Sequence, residues 1–314
     1  MATPQGGQRV VVSGGAGFIG THTVRLLAQE GWQALVIDDF RHACGEPLPP
    51  GVELERSEVS SERAVRAVRQ FRPQAVLHLA AQGGVNRSLK DPAGDAQVNV
   101  IGTVALLRAA VDAGARRFVF ASSGGAIYGR ARRLPSREAD RSAPLSPYGA
   151  AKLAAEGYLW MFARTFQLSC LALRYANVYG PYQDGTGEAG VVAITATRLL
   201  HGDPPQVTGD GSQTRDFTFV GDVARANLAG LAGRARGPVN IGTGRPTSVA
   251  DLVATISLLE PASLPPEHIP ARPGEVRGTY LEVSRAATLL GWRAQTALRE
   301  GLRLTLSSFA QAAR

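Results

Sequence analysis

The sequence predicts an α/β fold: a Rossmann-type, doubly wound parallel sheet followed by a smaller C-terminal α/β lobe. Three observations predict this architecture. Short apolar runs alternate with amphipathic helical stretches through the first half of the chain, which is the rhythm of β-α-β units. The runs lack the period-2 alternation of half-exposed strands, so helices are expected to cover both of their faces. A glycine-rich turn, "GGAGFIG" (14–20), joins the first run to the first helical stretch.

The first units follow directly from these patterns. "RVVVS" (9–13) is β-branched and predicts a buried strand, and apolar residues at helical spacing predict a helix over 18–30. "QALVID" (33–38) predicts the second strand, "SERAVRAVRQF" (61–71) a helix, and "QAVLHLA" (74–80) another buried strand. We expect these strands to pair in parallel.

The next units repeat the alternation as far as residue 175. Residues 95–114 have a helical pattern, and "RRFVFASS" (116–123) predicts a strand that ends in two serines. A long helix is predicted over 147–166, and "LSCLALRY" (168–175) predicts the strand that follows it. Together these elements form a Rossmann-type domain, which we assign to residues 8–175.

The rhythm breaks after residue 175. Gly/Pro-rich segments at 179–190 and 261–275 separate shorter helical patterns, so we assign residues 176–314 to the smaller lobe. The strand-like "RDFTFV" and "GPVNIG", near 215–242, are expected to return to the main sheet.

Composition and charge disfavour several classes of function. The formal net charge is +8, but the 34 Lys and Arg residues are scattered. This argues against nucleic-acid binding and favours an anionic small molecule. The sequence has neither a long uncharged apolar stretch nor a signal-peptide pattern, so we expect a cytoplasmic protein that does not enter membranes. Cys44 and Cys170 are far apart, and we expect neither a disulfide framework nor a metal site.

The glycine turn predicts a dinucleotide site. Gly14, Gly17 and Gly20 lie between a strand and a helix, where backbone N–H groups at the helix N-terminus can bind a diphosphate. Asp38 ends the next strand, 18 residues after Gly20, where a carboxylate can accept from both ribose hydroxyls of NAD. The same acid disfavours the 2′-phosphate of NADP, although Arg41 nearby lessens that preference. A glycine turn that binds nothing is the alternative.

Tyr148 and Lys152, in "SPYGAAK", are spaced i, i+4 and therefore share one face of the predicted helix. Lys152 stands out because the chain has one other lysine, Lys90, and all its other Lys/Arg residues are arginine. An ammonium about 4 Å from a phenol, at an effective dielectric of about 20, contributes roughly 4 kcal/mol, or about three pK units. We therefore expect Lys152 to lower the pKa of Tyr148 enough for general-base chemistry near neutral pH. A tyrosine and a lysine on an exposed helix face are the alternative.

With these motifs the chain resembles the extended short-chain dehydrogenases/reductases, and within that group it is similar to the UDP-glucose 4-epimerases. The resemblance covers nearly the whole length. It rests on "GGAGFIG" (14–20), "HLAAQ" (78–82), Asn99 in "VNVIGT", "SSGGAIYG" (122–129), "SPYGAAK" (146–152), "RYANVYGP" (174–181), "GEAGVVAI" (187–194), "RDFTFVGDVA" (215–224) and "RPGE" (272–275).

The resemblance implies an NAD-dependent 4-epimerase that interconverts UDP-glucose and UDP-galactose through a 4-keto intermediate, with UDP-GlcNAc and UDP-GalNAc as further candidates. Bound NAD would be reduced and reoxidised in each turnover. Tyr148 would take the proton from the sugar 4-hydroxyl. Residues 8–175 would then bind NAD, and residues 176–314 the sugar nucleotide.

A hydroxyl beside Tyr148 is also implied, and the sequence offers two candidates. The position four residues before Tyr128, where many relatives carry Ser or Thr, is Gly124 in this chain. Ser123 is therefore the first candidate and Ser122 the alternative. Ser123, Tyr148 and Lys152 form the implied catalytic set.

The resemblance implies further contacts with both ligands. The cofactor set is Gly14, Gly17, Phe18, Ile19, Gly20, Asp38, Asp39, Glu58, Val59, Leu79, Ala80, Ala81, Asn99, Tyr148, Lys152 and Tyr175. The substrate set is Ser123, Tyr148 and Asn177 at the sugar and diphosphate, Val191 and Val192 against uracil, Arg215 and Arg272 at the diphosphate, and Glu275 at the uridine ribose.

Several of these positions have specific alternatives. Glu58 replaces the usual Asp of the pair that reads adenine, and Phe219 stands where relatives often have histidine. For Val191 and Val192, packing in a helix core is the competing interpretation. Thr279 is at a position where relatives vary the size of the pocket wall, and its small side chain suggests the hypothesis that N-acetylated sugars are accepted.

Other functions stay open on this scaffold. A UDP-glucuronate 4-epimerase or a net sugar-nucleotide oxidoreductase would use the same residues, and a non-catalytic NAD-binding redox sensor would need only the cofactor site. A sugar-nucleotide 4,6-dehydratase is disfavoured, because "SGGAIYG" lacks the Asp-Glu pair that such enzymes use to eliminate water. The family resemblance, together with apolar residues on more than one face of "YLWMF" (158–162), predicts a homodimer.

Overall fold

The computed structural model describes residues 7–186, 190–260, 264–271 and 276–312. Its strands are β1 (Arg9–Ser13), β2 (Gln33–Asp38), β3 (Glu53–Arg56), β4 (Ala75–His78), β5 (Arg117–Ser123), β6 (Ser169–Tyr175), β7 (Asn177–Tyr179), β8 (Gln206–Thr208), β9 (Thr214–Arg215), β10 (Phe217–Phe219), β11 (Gly237–Ile241), β12 (Thr247–Ser248), β13 (Glu267–Ile269) and β14 (Gly278–Thr279). Its helices are α1 (Phe18–Gln29), α2 (Glu62–Phe71), α3 (Val85–Lys90), α4 (Pro92–Ala96), α5 (Gly102–Asp112), α6 (Pro147–Thr165), α7 (Val191–Leu200), α8 (Val220–Ala232), α9 (Val249–Leu259), α10 (Ser284–Leu290) and α11 (Leu298–Ala312), with a π-helical turn at Gln97–Ile101. Within these ranges no helix combines the length and the apolar character needed to cross a membrane.

Seven parallel strands form the main sheet, in the order β3-β2-β1-β4-β5-β6-β11. The chain runs from β1 to β2 and β3 on one side, then crosses to β4, β5 and β6 on the other. The strand order therefore reverses between β1 and β4, and ligands of such sheets bind at the carboxyl ends of the strands at this point. The predicted fold class is confirmed, and β1 and β2 have the predicted bounds.

Helices cover both faces of the sheet, as apolar strands without alternation require. Val10 and Val12 face a core shared with α1 and α8, whereas Val11 faces a core shared with α2, α5 and α6. Each fully buried valine or leucine contributes about 1.5–3 kcal/mol. The polar residues at the strand ends are thus carried on an element that is packed from both sides.

The smaller lobe has its own core. Residues of α7, α9 and α11 pack there around Tyr179 and Phe217. Short sheets complete the lobe, pairing β7 with β10, β9 with β12 and β14, and β8 with β13. The division of the chain at residues 175 and 176 stays a prediction.

The two strand-like segments near 215–242 have different fates. Gly237–Ile241 is the seventh strand of the main sheet, as expected. Residues 215–220 are not part of that sheet, which corrects the expectation: Phe217–Phe219 pairs in parallel with β7 instead. The reason is tertiary, because the carboxylate of Asp216 accepts hydrogen bonds from the backbone of the 243–244 turn and holds this segment beside the lobe.

Helix α6 carries the Tyr148/Lys152 pair. Ser146 Oγ accepts from Gly149 N at 3.1 Å and Pro147 occupies the first helical position, so the helix begins where a cap and a proline favour it. The first turn lies beside the end of β5. Farther along, Leu159 is in the sheet core while Tyr158 is 41% exposed, so "YLWMF" presents apolar side chains on a buried and on an exposed face.

Candidate active site

The glycine turn between β1 and α1 has the backbone geometry of a dinucleotide cradle. Gly14 adopts φ +72°, and a Cβ placed there would lie 2.6 Å from the Ala80 backbone nitrogen, so a side chain is excluded. Helix α1 begins at Phe18, with Gly17 in extended conformation as its N-cap. Glycine has no side chain to cap the first N–H groups, which are therefore available to an anionic ligand. A Cβ on Gly20 would collide with the Gly14 carbonyl, which explains the third glycine.

Asp38 ends β2 beside this turn. Its Oδ2 accepts from Ala16 N at 2.9 Å and its Oδ1 from Phe40 N at 2.8 Å. Burial raises the pKa of Asp38, and these two backbone hydrogen bonds oppose the shift. The carboxylate therefore braces the turn while its remaining lone pairs can accept from ribose hydroxyls.

Arg41 does not face the site as an unpaired cation. It forms ion pairs with Asp39, at 3.5 Å, and with Glu58. These two carboxylates compensate the charge that would otherwise favour a 2′-phosphate, which supports NAD over NADP. Glu58 is consequently engaged by an arginine, while Val59 is buried against helix α5 at Gly102.

The segment after β4 is held by Asn99 from the π-helical turn. Leu79 and Ala80 donate their backbone N–H groups to Ser13 O, and Ala81 follows them. Asn99 Oδ1 accepts from Gln82 N at 2.9 Å, and Asn99 Nδ2 donates to Gln82 O at 3.1 Å. Gln82 Nε2 is buried and unpaired within the described part of the chain, so it can donate a hydrogen bond to a ligand beside the glycine turn. These features fit a bound dinucleotide.

His78, which the sequence analysis did not single out, is buried and links the end of β1 to the start of α5. His78 Nδ1 lies 2.6 Å from Ser13 Oγ, and His78 Nε2 lies 2.9 Å from Thr103 Oγ1. Thr103 donates its own proton to Asn99 O at 2.7 Å, so Nε2 of the imidazole is the donor and Nδ1 the acceptor. Burial lowers the pKa of His78 to about 3, so the ring is neutral. The sequence feature that could have indicated this residue is a histidine at the end of an otherwise apolar strand.

The structure brings Ser123, Tyr148 and Lys152 together at the end of β5. A side-chain hydrogen bond joins Ser123 and Tyr148. Lys152 is only 3% exposed. Its Nζ donates to Ala121 O at 2.9 Å and lies 4.7 Å from the centre of the Phe120 ring and 5.8 Å from that of Tyr148. The alternative interpretation, in which Tyr148 and Lys152 lie on an exposed helix face, is therefore wrong.

The electrostatics of this pocket differ from the expectation. Burial raises the pKa of Tyr148 to about 12, and the hydrogen bond from Ser123 only partly offsets this. Burial also lowers the pKa of Lys152 to about 8, against the opposing charge of Asp95. For these side chains alone the pKa of Tyr148 is therefore raised and not lowered as expected, because removing the phenol from water outweighs the hydrogen bond with Ser123.

Ser122 and Ser123 point to opposite sides of β5. Ser122 Oγ donates to Glu156 Oε1 at 2.6 Å, in a buried network that includes the Glu156–Arg174 ion pair. Adjacent residues of a strand face opposite ways, so Ser123 alone of the two reaches Tyr148. The glycine at 124 also has a reason: a Cβ there would lie 2.6 Å from Leu281 Cδ1.

The expected substrate residues are only partly in position. Asn177 is exposed, and a Cβ on Gly125 would lie 3.7 Å from its Oδ1 and 4.0 Å from Ser123 Oγ, so Asn177 borders the pocket. Arg215 pairs in register with Thr279, whose Oγ1 is buried and unpaired within the described residues. Arg272 and Glu275 lie outside the described residues.

Three side chains are turned into cores rather than the cleft. Val192 is buried among the lobe helices, with Val191 at the edge of the same core, so the helix-core interpretation applies to Val192. Tyr175 is buried, and its hydroxyl donates to Asn227 of α8, so its expected contact with the cofactor stays a prediction. Phe219 packs edge-on against Tyr179 at 5.9 Å.

The chain is similar to known proteins over most of its length. The family model described as "NAD dependent epimerase/dehydratase family" matches residues 10–242. The chain is 41% identical to a UDP-glucose 4-epimerase of Mycolicibacterium smegmatis, over 96% of this chain and 98% of the relative. A crystal structure of the Thermotoga maritima UDP-glucose 4-epimerase with UDP-glucose superposes with a TM-score of 0.95 at 40% identity, covering 98% of this chain and 100% of that one. The Thermus thermophilus UDP-glucose 4-epimerase in complex with NAD gives 0.91 at 39% identity, covering 97% and 100%.

Proposed function

Since the chain belongs to the NAD dependent epimerase/dehydratase family, we propose that it is an NAD-dependent UDP-sugar 4-epimerase that interconverts UDP-glucose and UDP-galactose. The observation that carries this proposal is the grouping of Ser123 and Tyr148 with the buried Lys152 at the end of β5, at the same edge of the sheet as the glycine turn that follows β1. The full-length similarity to UDP-glucose 4-epimerases supports the same reaction.

The cofactor is assigned to the cradle formed by the β1–α1 turn, Asp38 and the segment after β4. Gly14 and Gly17 admit the diphosphate to the backbone N–H groups of α1, and Asp38 accepts from the ribose. When bound, NAD supplies the redox chemistry, accepting a hydride from C4 of the sugar and returning it, and its oxidised ring adds a positive charge to the site.

Tyr148 is the proposed acid–base group. It takes the proton of the sugar 4-hydroxyl in one half of the reaction and gives it back in the other. With a pKa raised to about 12 by burial, it requires added positive charge before it can act as a base. Lys152 contributes a fixed ammonium on the same helix face, and Ser123 stabilises the phenolate by donating a hydrogen bond.

Substrate binding is assigned to the lobe side of the pocket. Asn177 borders the sugar site, and Arg215, with Arg272, is proposed to neutralise the diphosphate. Glu275 is proposed at the uridine ribose. Thr279 supports acceptance of N-acetylated sugars, because a small side chain forms this wall and its hydroxyl is unpaired there among the described residues.

Incubating the purified protein separately with UDP-glucose, UDP-N-acetylglucosamine and UDP-glucuronate, with product identification by NMR, tests the proposal. Exchange between 4-epimers without added cofactor supports it. Stoichiometric build-up of free NADH would instead favour a net oxidoreductase, and turnover confined to UDP-glucuronate would favour the uronate epimerase. A Tyr148→Phe variant is the control, since it keeps the ring but loses the hydroxyl and must be inactive.

We also propose a homodimer formed through helix α6. Tyr158 and Met161 are each 41% exposed on its outer face, which supports burial against a second copy. Sedimentation as a single 33.1 kDa species at micromolar concentration would contradict this. A reducing cytoplasm is the proposed location, supported by the free thiols of Cys44 and Cys170.

A further inference from the structure

A carboxylate outside the catalytic set is buried close to it. Asp95, near the end of α4, is 0% exposed. Its Oδ1 accepts from Asn99 Nδ2 at 3.0 Å, whereas its Oδ2 is buried and unpaired within the described residues. Burying a carboxylate with one oxygen unpaired is unfavourable, so packing alone does not explain an acid at this position.

The charges around Asp95 come from several elements. Helix α4 packs against α6, which carries Lys152 and Tyr148, and the charges of Asp95 and Lys152 act on each other across this contact. Asp95 also acts on the phenol of Tyr148, and Asp91 at the start of α4 adds a second negative charge. His78 of β4 is close enough to Lys152 to feel its charge but is itself neutral. Helix α3 packs against α4, and its basic side chains Arg87 and Lys90 are exposed.

Asp95 acts on both members of the catalytic pair in the same direction. It raises the pKa of Lys152, against the lowering by burial, and it raises the pKa of Tyr148. The sign follows from charge alone, because a fixed anion favours the protonated form of any neighbour.

We propose that Asp95 is a positioning residue that serves as the buried counter-ion of Lys152, keeping the amine charged and Tyr148 protonated between the two proton transfers. This inference rests on the proposed function. The Asp95–Asn99 hydrogen bond also ties this counter-ion to the residue that holds the Gln82 backbone. The reaction is reversible, so Tyr148 must both lose and regain its proton, and the anion sets the pH range in which both steps proceed.

The lysine content of the chain allows a direct test that needs neither cofactor nor turnover. Lys90 and Lys152 are its two lysines, so Lys90→Arg leaves one, and isotope-labelled lysine then reports Lys152 alone by NMR. In this background the titration midpoint of Lys152 is expected near its pKa of about 8, to which burial lowers it. Asp95→Asn is expected to lower this midpoint by about one unit. Asp91→Asn is the matched control: it removes the same charge from an exposed residue of the same helix and keeps a capping side chain, so it must leave the midpoint within about 0.3 units.

Activity provides the second readout. With a UDP-sugar that the unmodified protein epimerises, Asp95→Asn is expected to move both limbs of the pH–rate profile to lower pH, whereas Asp95→Glu restores them. Should Asp95→Asn not fold, Asp95→Ser removes the charge with a smaller side chain. An unchanged Lys152 midpoint, or a lower rate with unshifted limbs, overturns the counter-ion role. Absence of epimerisation by the unmodified protein instead refutes the proposed function, and the NMR titration still decides the role of Asp95.

Discussion

Replacing Ser123 by alanine removes the hydrogen bond to Tyr148. A hydrogen bond to a charged group contributes about 1.5–3 kcal/mol, and this bond is strongest when the phenol is ionised. At about 1.4 kcal/mol per tenfold in rate, kcat is expected to fall about 10- to 150-fold. The same bond lowers the pKa of Tyr148, so its loss raises that pKa and moves the acid limb of the pH–rate profile to higher pH.

Ser122→Ala is the matched control for this variant. Its hydroxyl bonds to Glu156 on the opposite side of β5, so kcat is expected to stay within about threefold, while the free energy of unfolding falls by about 1–2 kcal/mol. Steady-state kinetics of UDP-galactose conversion over a pH series, with denaturant unfolding of both variants, measures these quantities. If Ser122→Ala loses most of the activity and Ser123→Ala keeps it, the assignment of the hydroxyl is wrong.

Three further predictions concern stability, pH and specificity. Arg117→Met is expected to lower the free energy of unfolding by about 2 kcal/mol, because the guanidinium donates to the buried carbonyls of Gly230 and Ala235 and methionine leaves them unpaired; an unchanged denaturation midpoint contradicts this. Lys152 has a pKa lowered to about 8, so it is charged below that pH and neutral above it, and kcat is expected to fall as pH rises through this value; a rate that stays constant well above it contradicts the role of the ammonium. Thr279→Tyr is expected to reduce turnover of UDP-N-acetylgalactosamine about tenfold more than that of UDP-galactose, as measured by NMR, and equal losses would argue against the wall position.

Much of the fold could be predicted from local patterns. The strands Arg9–Ser13 and Gln33–Asp38 have the bounds that their apolar runs indicate, because a strand covered on both faces needs a continuous apolar segment. The glycine turn could also be predicted from the sequence, since a positive φ and a close backbone approach require glycine at position 14. The same holds for Tyr148 and Lys152, whose i, i+4 spacing puts them on one helix face.

Residue patterns alone could not decide which polar groups meet inside the protein. The sequence favoured Ser123 but left Ser122 open, and the packing of β5 against α6 decides which one reaches Tyr148. No pattern marks Asp95, and His78 was noted only as the first residue of "HLAAQ", yet both lie within the buried network around Asn99 and Lys152.

The sequence by itself therefore determined the order of the elements and the glycine turn, and it predicted the proposed acid–base pair, because each depends on residues close together in the chain. The tertiary structure decided how far burial shifts the pKa values of that pair. The pKa of Tyr148 depends on how much water the surrounding elements exclude, and those elements come from distant parts of the sequence. The pairing of Phe217–Phe219 with β7 has the same origin, since the tertiary contacts of a three-residue strand decide which strand it pairs with.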